Sequence, residues 1–463
     1  MDDCNIYLLF KEIRLVMLGL VVLTSASSFA TSLATQHCHQ LISRLNTGPW
    51  CCQFKKWLDL CLPAGIVSGC LMSWLPLRFL GRRATLQLVV APLLCAGCCL
   101  SFMFQHVMLP ALLLAVWLQG MAAGVNFTAV PVYVLETMTR PALPLIISTQ
   151  TSVALGTLLA CVLALTSHTT YLPLLPAAII ATSSFCLCFV MESPRWLLLF
   201  GKKIEQAKSS LYILHKCNEP DYNVCKALVN YRKQEQEFCE RITNLQTIKI
   251  YTRALSVSMF LMTIPCVTGV HAYRFYADWV YRHSSVQAVL QTYEQVIGVA
   301  IATTVVSVTG GIRSQYVTLI VSVSTMSLVL GATGLCLFSI EQTENWIWAV
   351  PWLPLALHWM FQIAFWSGIG SQTFVVAFES VPPPIRPSVF SLSGGLHWLL
   401  QAMSQKFLVF MLDIVQPFGT FFFHAGVSTV VLVLIVFVVI PTIKHDTTCN
   451  QIEKQVQDIS TDK

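Results

Sequence analysis

Charged residues in this sequence stand where long apolar runs end, and their types would allow them to pair. A glutamate at the end of one helix attracts an arginine at the end of a neighbouring helix, and the pair can hold the two ends together. The charges concerned are Arg82, Arg83, Glu136, Glu379 and Arg386. We predict that they form a latch at one end of a helix bundle; independent, solvated helix ends are the alternative interpretation.

A second set of polar residues lies inside the apolar runs. A polar side chain among apolar helices is costly, so it is a candidate for a functional role. These residues are His271, Gln150, Gln372, His397 and Gln401, together with the neighbouring Trp398. We interpret them as candidate contacts for a small solute. Hydrogen bonds between helices are the alternative, and such bonds contribute about 0.6 kcal/mol on average in the best-measured membrane protein.

Patterns typical of catalysis or metal binding are missing from the sequence. It has no phosphate-binding glycine loop, no zinc-site spacing of Cys and His, and no nucleophile with a base nearby. Most of the 18 cysteines stand in apolar runs, where they act as packing residues. Free thiols are favoured, although a disulfide between Cys38 and Cys51 or Cys52 stays open. We therefore expect that the protein is not an enzyme and that it holds neither a metal nor a cofactor.

The composition places these residues in a lipid bilayer. Hydrophobic residues make up 55% of the 463 residues and charged residues only 11%, which is too little polar surface for a water-soluble globule of this size. The net charge of +6 is small for the length and argues against nucleic acid as a partner. The first apolar run is too long for a signal peptide and has no convincing cleavage site.

Twelve windows are long and apolar enough to cross a bilayer as helices. They cover residues 13–35, 57–77, 84–104, 108–130, 145–166, 171–191, 254–272, 287–309, 316–338, 346–370, 387–411 and 419–441. The expected fold class is an all-α membrane protein with twelve transmembrane helices in a six-plus-six arrangement. Its expected divisions are a first half (1–191), a central loop with short helices (192–253), a second half (254–441) and a tail (442–463).

Lysine and arginine predict the orientation, because positive residues are retained on the cytoplasmic side of a membrane. They concentrate in the central loop and beside the span ends that lie on the same side as this loop. Both termini and the central loop are therefore expected in the cytoplasm, and the cell membrane is the expected location. Binding of anionic lipid or nucleic acid by the loop is the alternative explanation of its charge.

Short motifs along the chain resemble a known family. Gly120-Met-Ala-Ala-Gly124, Pro131-Val-Tyr-Val-Leu-Glu136 and Glu192-Ser-Pro-Arg195-Trp196 resemble the sugar-porter branch of the major facilitator superfamily. Tyr276-Ala277-Asp278, Arg386-Pro387-Ser388 and Gly394-Gly395-Leu-His397-Trp398 resemble the facilitative glucose and fructose transporters, solute carrier family 2. The His-Trp pair, where glucose-selective members have Asn-Trp, is similar to class II, the fructose-type subgroup.

This resemblance implies a uniporter that binds a hexose or related small solute in a central cavity and moves it by alternating access. Trp398 would stack on the sugar ring, and His397 and Gln401 would supply hydrogen bonds. The charges described above, together with Glu192 and Arg195, would form a cytoplasmic latch, in which Glu379 and Arg386 are the complete Glu-x6-Arg pair. No acidic residue lies clearly in the middle of a span, so coupling to protons is not expected.

Several positions depart from the pattern of this family. Pro265 and Cys266 stand in place of a Gln-Gln pair, and His271 and Ala302 each stand in place of Asn. An amide both donates and accepts hydrogen bonds to sugar hydroxyls, which Cys and Ala cannot reproduce. We expect weak or altered hexose recognition. Two alternatives stay open: a non-transporting sensor or scaffold with this fold, and a carrier of another solute such as an organic ion. The oligomeric state is not predicted.

Overall fold

The structure is a computed structural model, and it is almost wholly helical in the part of the chain that it describes. The described residues are 20, 22–32, 49–103, 109–137, 152–160, 162–163, 174–188, 190–199, 204–215, 245–273, 276, 297, 312–342 and 352–439. Within them, six helical stretches are long and apolar enough to cross a membrane. These are Leu60–Phe79, Arg82–Phe102, Pro110–Thr137, Tyr251–Tyr273, Tyr316–Ser339 and Arg386–Phe437.

The helices form two groups that flank two short helices. The first group contains α1 (22–32), α2 (Pro49–Met72), α3 (Trp74–Phe79), α4 (Arg82–Thr85), α5 (Ala91–Met103), α6 (Leu109–Thr137), α7 (152–160) and α8 (Leu174–Cys188). The short helices are α9 (Pro194–Leu199) and α10 (Ile204–His215). The second group contains α11 (Leu245–Val267), α12 (Ile312–Gln342), α13 (Leu353–Ser367), α14 (Ile369–Ser380) and α15 (Arg386–Leu434). The predicted windows 13–35 and 145–166 are described only in part, and 287–309 lies outside the described residues except for Ile297.

Glycines allow α2 and α6 to pack closely in the first group. A Cβ atom on Gly69 would lie 2.0 Å from the carbonyl oxygen of Met121, and one on Gly124 would lie 2.2 Å from that of Ile66. Both helices carry glycines four residues apart, the small-residue spacing that lets backbones approach in membranes. Larger residues would push these two helices apart, so the glycines set the spacing of the first group.

A break at Gly368 divides the predicted tenth span into α13 and α14. Gly368 has φ −122° and ψ −91°, which is not helical. Ser322 on α12 stabilises the break, because its hydroxyl donates to the carbonyl oxygen of Ala364 at 2.6 Å and accepts from the backbone N–H of Ile369 at 3.3 Å. The backbone of the predicted tenth span is therefore interrupted at Gly368.

α15 comprises two spans that fold back on each other. The helix is interrupted at Gln416, whose φ of 62° precedes Pro417. Phe407 and Phe423, which lie on opposite sides of the break, have ring centroids 6.1 Å apart. The break falls between the predicted windows 387–411 and 419–441, so α15 accounts for both of these predicted spans.

Candidate functional site

Four aromatic rings meet where the first group contacts the second. Phe127 of α6 stacks parallel to the ring of His397 on α15, with centroids 5.9 Å apart and 5° between the planes. Phe127 also meets the edges of Phe374 on α14 (5.6 Å) and Trp398 on α15 (5.9 Å). We call these four residues the aromatic cage. The cage brings together side chains from both helical groups.

The cage lies deep in the bundle. At 1.5 Å per helical residue, Phe127 is about 15 Å from the end of α6 at Thr137, and Trp398 is about 18 Å from the start of α15 at Arg386. The hydrocarbon core of a bilayer is about 30 Å thick, so both rings are near its middle. This is the depth at which transporters bind their solutes between two halves.

His397 is fixed by the helix that it packs against. Its Nδ1–H donates to the carbonyl oxygen of Met262 on α11 at 2.6 Å, because a carbonyl can only accept. The Sγ atom of Cys266 lies 3.5 Å from the same ring nitrogen. His397 is buried, and this hydrogen bond leaves Nε2 as the acceptor of the neutral ring. The structure therefore gives His397 a bond to α11 and one remaining polar atom.

A second histidine binds α11 further along its length. His424 of α15 has Nδ1 3.1 Å from the carbonyl oxygen of Val267. Pro265, which has no N–H to donate, stands between the two bonded carbonyls, and Gly269, whose φ is +83°, follows the second one. These two residues interrupt the helical hydrogen-bond ladder. The imidazoles of His397 and His424 thus bond α15 to the last two turns of α11.

Several buried polar atoms on the helices that carry the cage have no hydrogen-bond partner in the described structure. Gln372 is fully buried, and neither Oε1 nor Nε2 of its amide is bonded. The Nε1 atom of Trp398 and the Oδ1 atom of Asn126 are also unbonded, although Asn126 Nδ2 donates to Ser27 Oγ at 3.3 Å. Buried polar groups are nearly always satisfied, so these atoms are suited to receive a polar ligand.

The other predicted solute contacts are placed differently. Gln401 lies on α15 one turn beyond Trp398 and is partly exposed. His271 is buried beyond the Gly269 turn and is not one of the four cage rings. Gln150 lies outside the described residues. Asn126, Phe127 and Phe374 were missed by the sequence reasoning, although Asn126 carries the same signal as Gln372, a polar side chain inside an apolar span.

At one end of the bundle, Arg82 and Glu136 form a buried ion pair. Arg82 Nε is 2.7 Å from Glu136 Oε2, and Arg82 Nη2 donates to Glu136 Oε1 at 2.8 Å. The side chains are 2% and 0% exposed. Arg82 also donates to the carbonyl oxygen of Leu77, and Ser193 Oγ donates to Glu136 Oε2 at 2.6 Å. This group of residues, which we call the Arg82 cluster, joins α4 and α6 to the segment before α9.

Glu192 caps the start of α4. Its Oε1 accepts from the backbone N–H groups of Arg82 (2.8 Å) and Arg83 (2.9 Å), and its Oε2 accepts from that of Ala84 (3.2 Å). A carboxylate at a helix N-terminus satisfies N–H groups that have no partner within the helix. Gly81 makes the approach possible, because its φ is +111° and a Cβ atom there would lie 2.6 Å from Glu192 Oε2. Glu192 thus contacts backbone where the sequence had indicated a partner for arginine side chains.

The remaining predicted latch residues have different environments. Arg83 donates through Nη1 to the carbonyl oxygen of Val190 at 2.7 Å. Arg195 is buried at the start of α9. Arg386 Nε donates to the carbonyl oxygen of Val381 at 3.0 Å. The side chain of Glu379 lies outside the described part of the structure, so its predicted pairing with Arg386 stays a prediction.

The two helical groups are in contact between the Arg82 cluster and the aromatic cage. The hydroxyl of Ser391 on α15 donates to the carbonyl oxygens of Cys70 (2.7 Å) and Leu71 (3.0 Å) on α2. A Cβ atom on Gly395 would lie 2.7 Å from the Leu71 side chain, so α15 and α2 approach closely there. The groups are therefore closed against each other on the side of the cage that faces the Arg82 cluster.

Comparisons with known proteins agree with this arrangement. A family model described as "Sugar (and other) transporter" matches residues 52–453. The facilitated trehalose transporter Tret1 of Drosophila virilis is 22% identical over 437 residues, which are 92% of this chain and 46% of that protein. Tret1 of Bombyx mori is 24% identical over 392 residues, covering 83% of this chain and 75% of that protein. The chain thus spans about half the length of the fly relatives it matches.

The fold comparison confirms the predicted fold class. The structure of XylE, a proton:xylose symporter of the major facilitator superfamily bound to 6-bromo-6-deoxy-D-glucose, superposes with a TM-score of 0.74 at 15% sequence identity. The alignment covers 91% of this chain and 96% of XylE. The relatives are transporters, which agrees with the prediction that the chain is not an enzyme. Both Tret1 relatives are trehalose transporters, so membership of the fructose-type subgroup stays a prediction from the His-Trp pair.

Proposed function

Because the chain belongs to the Sugar (and other) transporter family, we propose that it carries a sugar or sugar-like solute across a membrane, down its concentration gradient, by alternating access. The observation that carries this proposal is the aromatic cage. It lies at the interface of the two helical groups, near mid-membrane depth, and it includes the indole N–H of Trp398, which has no partner among the described residues. A solute bound there would be released to either side when the groups rock.

The cage suits a ring with one apolar face. Trp398 and Phe374 offer flat surfaces to the C–H face of a sugar, while the amide of Gln372 and the Nε2 atom of His397 offer hydrogen bonds to hydroxyls. The His-Trp pair supports a hexose such as fructose, and the named relatives support the disaccharide trehalose. Since Cys266 and Pro265 supply no amide, we expect a lower affinity for hexoses than in a carrier with the full polar set.

Transport is proposed to be uniport. In the six described stretches that are long enough to cross a membrane, the carboxylates are Glu136, one residue before the end of Pro110–Thr137, and Asp413, three residues before the break at Gln416. Glu136 is already neutralised by Arg82. A proton-coupled carrier would need a carboxylate that can be protonated and deprotonated beside the solute. The aromatic cage contains none among its four residues.

The proposed orientation places the Arg82 cluster, the central loop and both termini in the cytoplasm. The concentration of Lys and Arg in residues 192–253 supports it. The domain division into two six-helix halves joined by this loop, and the location in the cell membrane, belong to the same proposal. With this orientation the described conformation is closed towards the cytoplasm at Ser391 and Cys70.

Uptake of labelled fructose, glucose and trehalose into liposomes containing the purified protein tests the function. We expect saturable uptake of at least one of the three, inhibited by the unlabelled sugar and unaffected by a pH gradient. Mannitol, an open-chain polyol without a ring to stack, serves as the comparison solute. Liposomes that take up none of the sugars would favour a non-transporting sensor or scaffold instead, and uptake of an organic anion alone would make the chain a carrier of another class.

A further inference from the structure

Phe127 is the ring that the first helical group contributes to the aromatic cage. It lies 5.9 Å from His397, 5.6 Å from Phe374 and 5.9 Å from Trp398, measured between ring centroids. The His397 ring is parallel to the Phe127 ring and offset from it, while the other two rings are nearly perpendicular to it. The second group therefore surrounds a six-membered ring that belongs to the chain itself.

The facing helix has room for this ring because it carries a glycine. A Cβ atom on Gly394 would lie 3.3 Å from the Phe127 ring, which is tighter than ordinary van der Waals contact. Ser391, one turn earlier on α15, is bonded to α2 of the first group. The same stretch of α15 therefore contacts α2, where the two groups are closed, and Phe127 in the cage.

Polar atoms without a partner among the described residues lie in the cage and on the helices that carry it. Both amide atoms of Gln372, two residues before Phe374, lack a partner, as does the indole N–H of Trp398. From the first group, Oδ1 of Asn126, the residue before Phe127, is also unbonded. Buried groups of this kind are rare unless a ligand or water satisfies them. The cage therefore has an unbonded donor of its own, the Trp398 indole N–H, and an apolar ring of the chain at its centre, while the unbonded amides lie on the helices that carry Phe374 and Phe127.

We propose that Phe127 occupies the place of the solute ring when the two groups are closed, and that its side chain limits the size of solute that the carrier accepts. This inference rests on the proposed function. A solute must displace Phe127 before it can contact His397 and Trp398. An apolar space of about 150 Å³ holds a benzene molecule. Removing the Phe127 ring therefore makes room for one more six-membered ring, the difference between a hexose and a disaccharide.

The test compares Phe127→Ala with the wild type in liposomes, using trehalose and glucose as solutes. We expect the half-saturating concentration of trehalose to fall by about tenfold relative to that of glucose, the factor that one or two aromatic contacts represent. Phe127→Leu removes only part of the ring and should shift the preference in the same direction by less. Phe127→Leu also allows the inference to be tested if Phe127→Ala does not fold.

Phe365→Ala is the matched control. Phe365 is a buried phenylalanine of α13 whose described ring contacts, with Phe361 and Trp366, lie within the second group. It loses the same side-chain volume without opening the interface between the groups. The relative preference for trehalose and glucose should stay at its wild-type value in this variant.

A second readout separates this inference from the proposed function. Cys266 is buried against His397 beneath the cage. Its alkylation by N-ethylmaleimide, followed by peptide mass spectrometry, should be severalfold faster in Phe127→Ala and unchanged in Phe365→Ala. Equal effects of both variants, or no effect of Phe127→Ala on either readout, would overturn the inference. Faster alkylation in Phe127→Ala without uptake of any sugar by any variant would refute the proposed function and uphold the position of Phe127.

Discussion

Replacing Glu136 by glutamine removes one partner of a buried ion pair and leaves the other charged. Glu136 receives two hydrogen bonds from Arg82, at 2.7 and 2.8 Å, and one from Ser193 at 2.6 Å. Removing one partner of such a pair destabilises a protein by about 3–5 kcal/mol, because the remaining charge is buried without compensation. At about 2–4 °C per kcal/mol for a unit of 150–250 residues, the apparent unfolding temperature should fall by at least about 6 °C.

Thermal unfolding in detergent, followed by intrinsic fluorescence, measures this change. Lys208→Ala is the control, because its ion pair with Glu205 is long (3.4 Å) and exposed, and such pairs contribute less than about 1 kcal/mol. The double variant Arg82→Met, Glu136→Met should recover most of the loss, since it buries no unpaired charge. If Glu136→Gln lost no more stability than Lys208→Ala, the assignment of a buried, tightly bonded pair would be wrong.

Three further substitutions test other parts of the structure. Gly81→Ala should lower the free energy of unfolding by about 1–3 kcal/mol in the same assay, because a φ of +111° is strained for alanine. Gly331→Ala is the control: the space around Gly331 is open, so this variant should be as stable as the wild type or more stable. Ser391→Ala removes the bond to the Cys70 carbonyl, about 0.5–1.5 kcal/mol, so the unfolding temperature should fall by roughly 1–6 °C in the same assay, and an unchanged temperature would show that this bond does not stabilise the closed arrangement. Gln372→Leu should raise the unfolding temperature, because an unbonded buried amide costs about 1–3 kcal/mol, while it weakens solute uptake; a loss of stability would show that the amide is satisfied within the protein.

The spans could be predicted from the sequence because hydropathy is a local property. The gap between the windows 387–411 and 419–441 contains the break at Gln416, where the following proline ends the first helix. The window 346–370 ends too early, since α14 continues to Ser380 beyond the break at Gly368. That extension depends on Ser322 of another helix, whose hydroxyl bonds to both sides of the break, and no local pattern contains this contact.

The candidate site could be predicted where a motif of the family or a polar side chain in an apolar run marked a residue, as at His397, Trp398 and Gln372. His397 and Trp398 were identified through their motif, and the structure brings them together in the cage. Phe127 was missed because, from sequence alone, a phenylalanine in an apolar helix cannot be distinguished from a residue that only packs in the core. Its position depends on how the two groups dock. Glu192 contacts backbone N–H groups about 110 residues away in the sequence, so its capping role also follows from tertiary structure.

The central claim is passive transport of a sugar through the aromatic cage, and exchange of labelled trehalose and fructose in liposomes tests it most directly. The internal concentration of the labelled sugar should rise to the external concentration and not exceed it. Trp398→Ala should abolish this uptake, because the variant loses the ring that stacks on the solute. Saturable uptake that survives Trp398→Ala, or accumulation above the external concentration, would contradict the account.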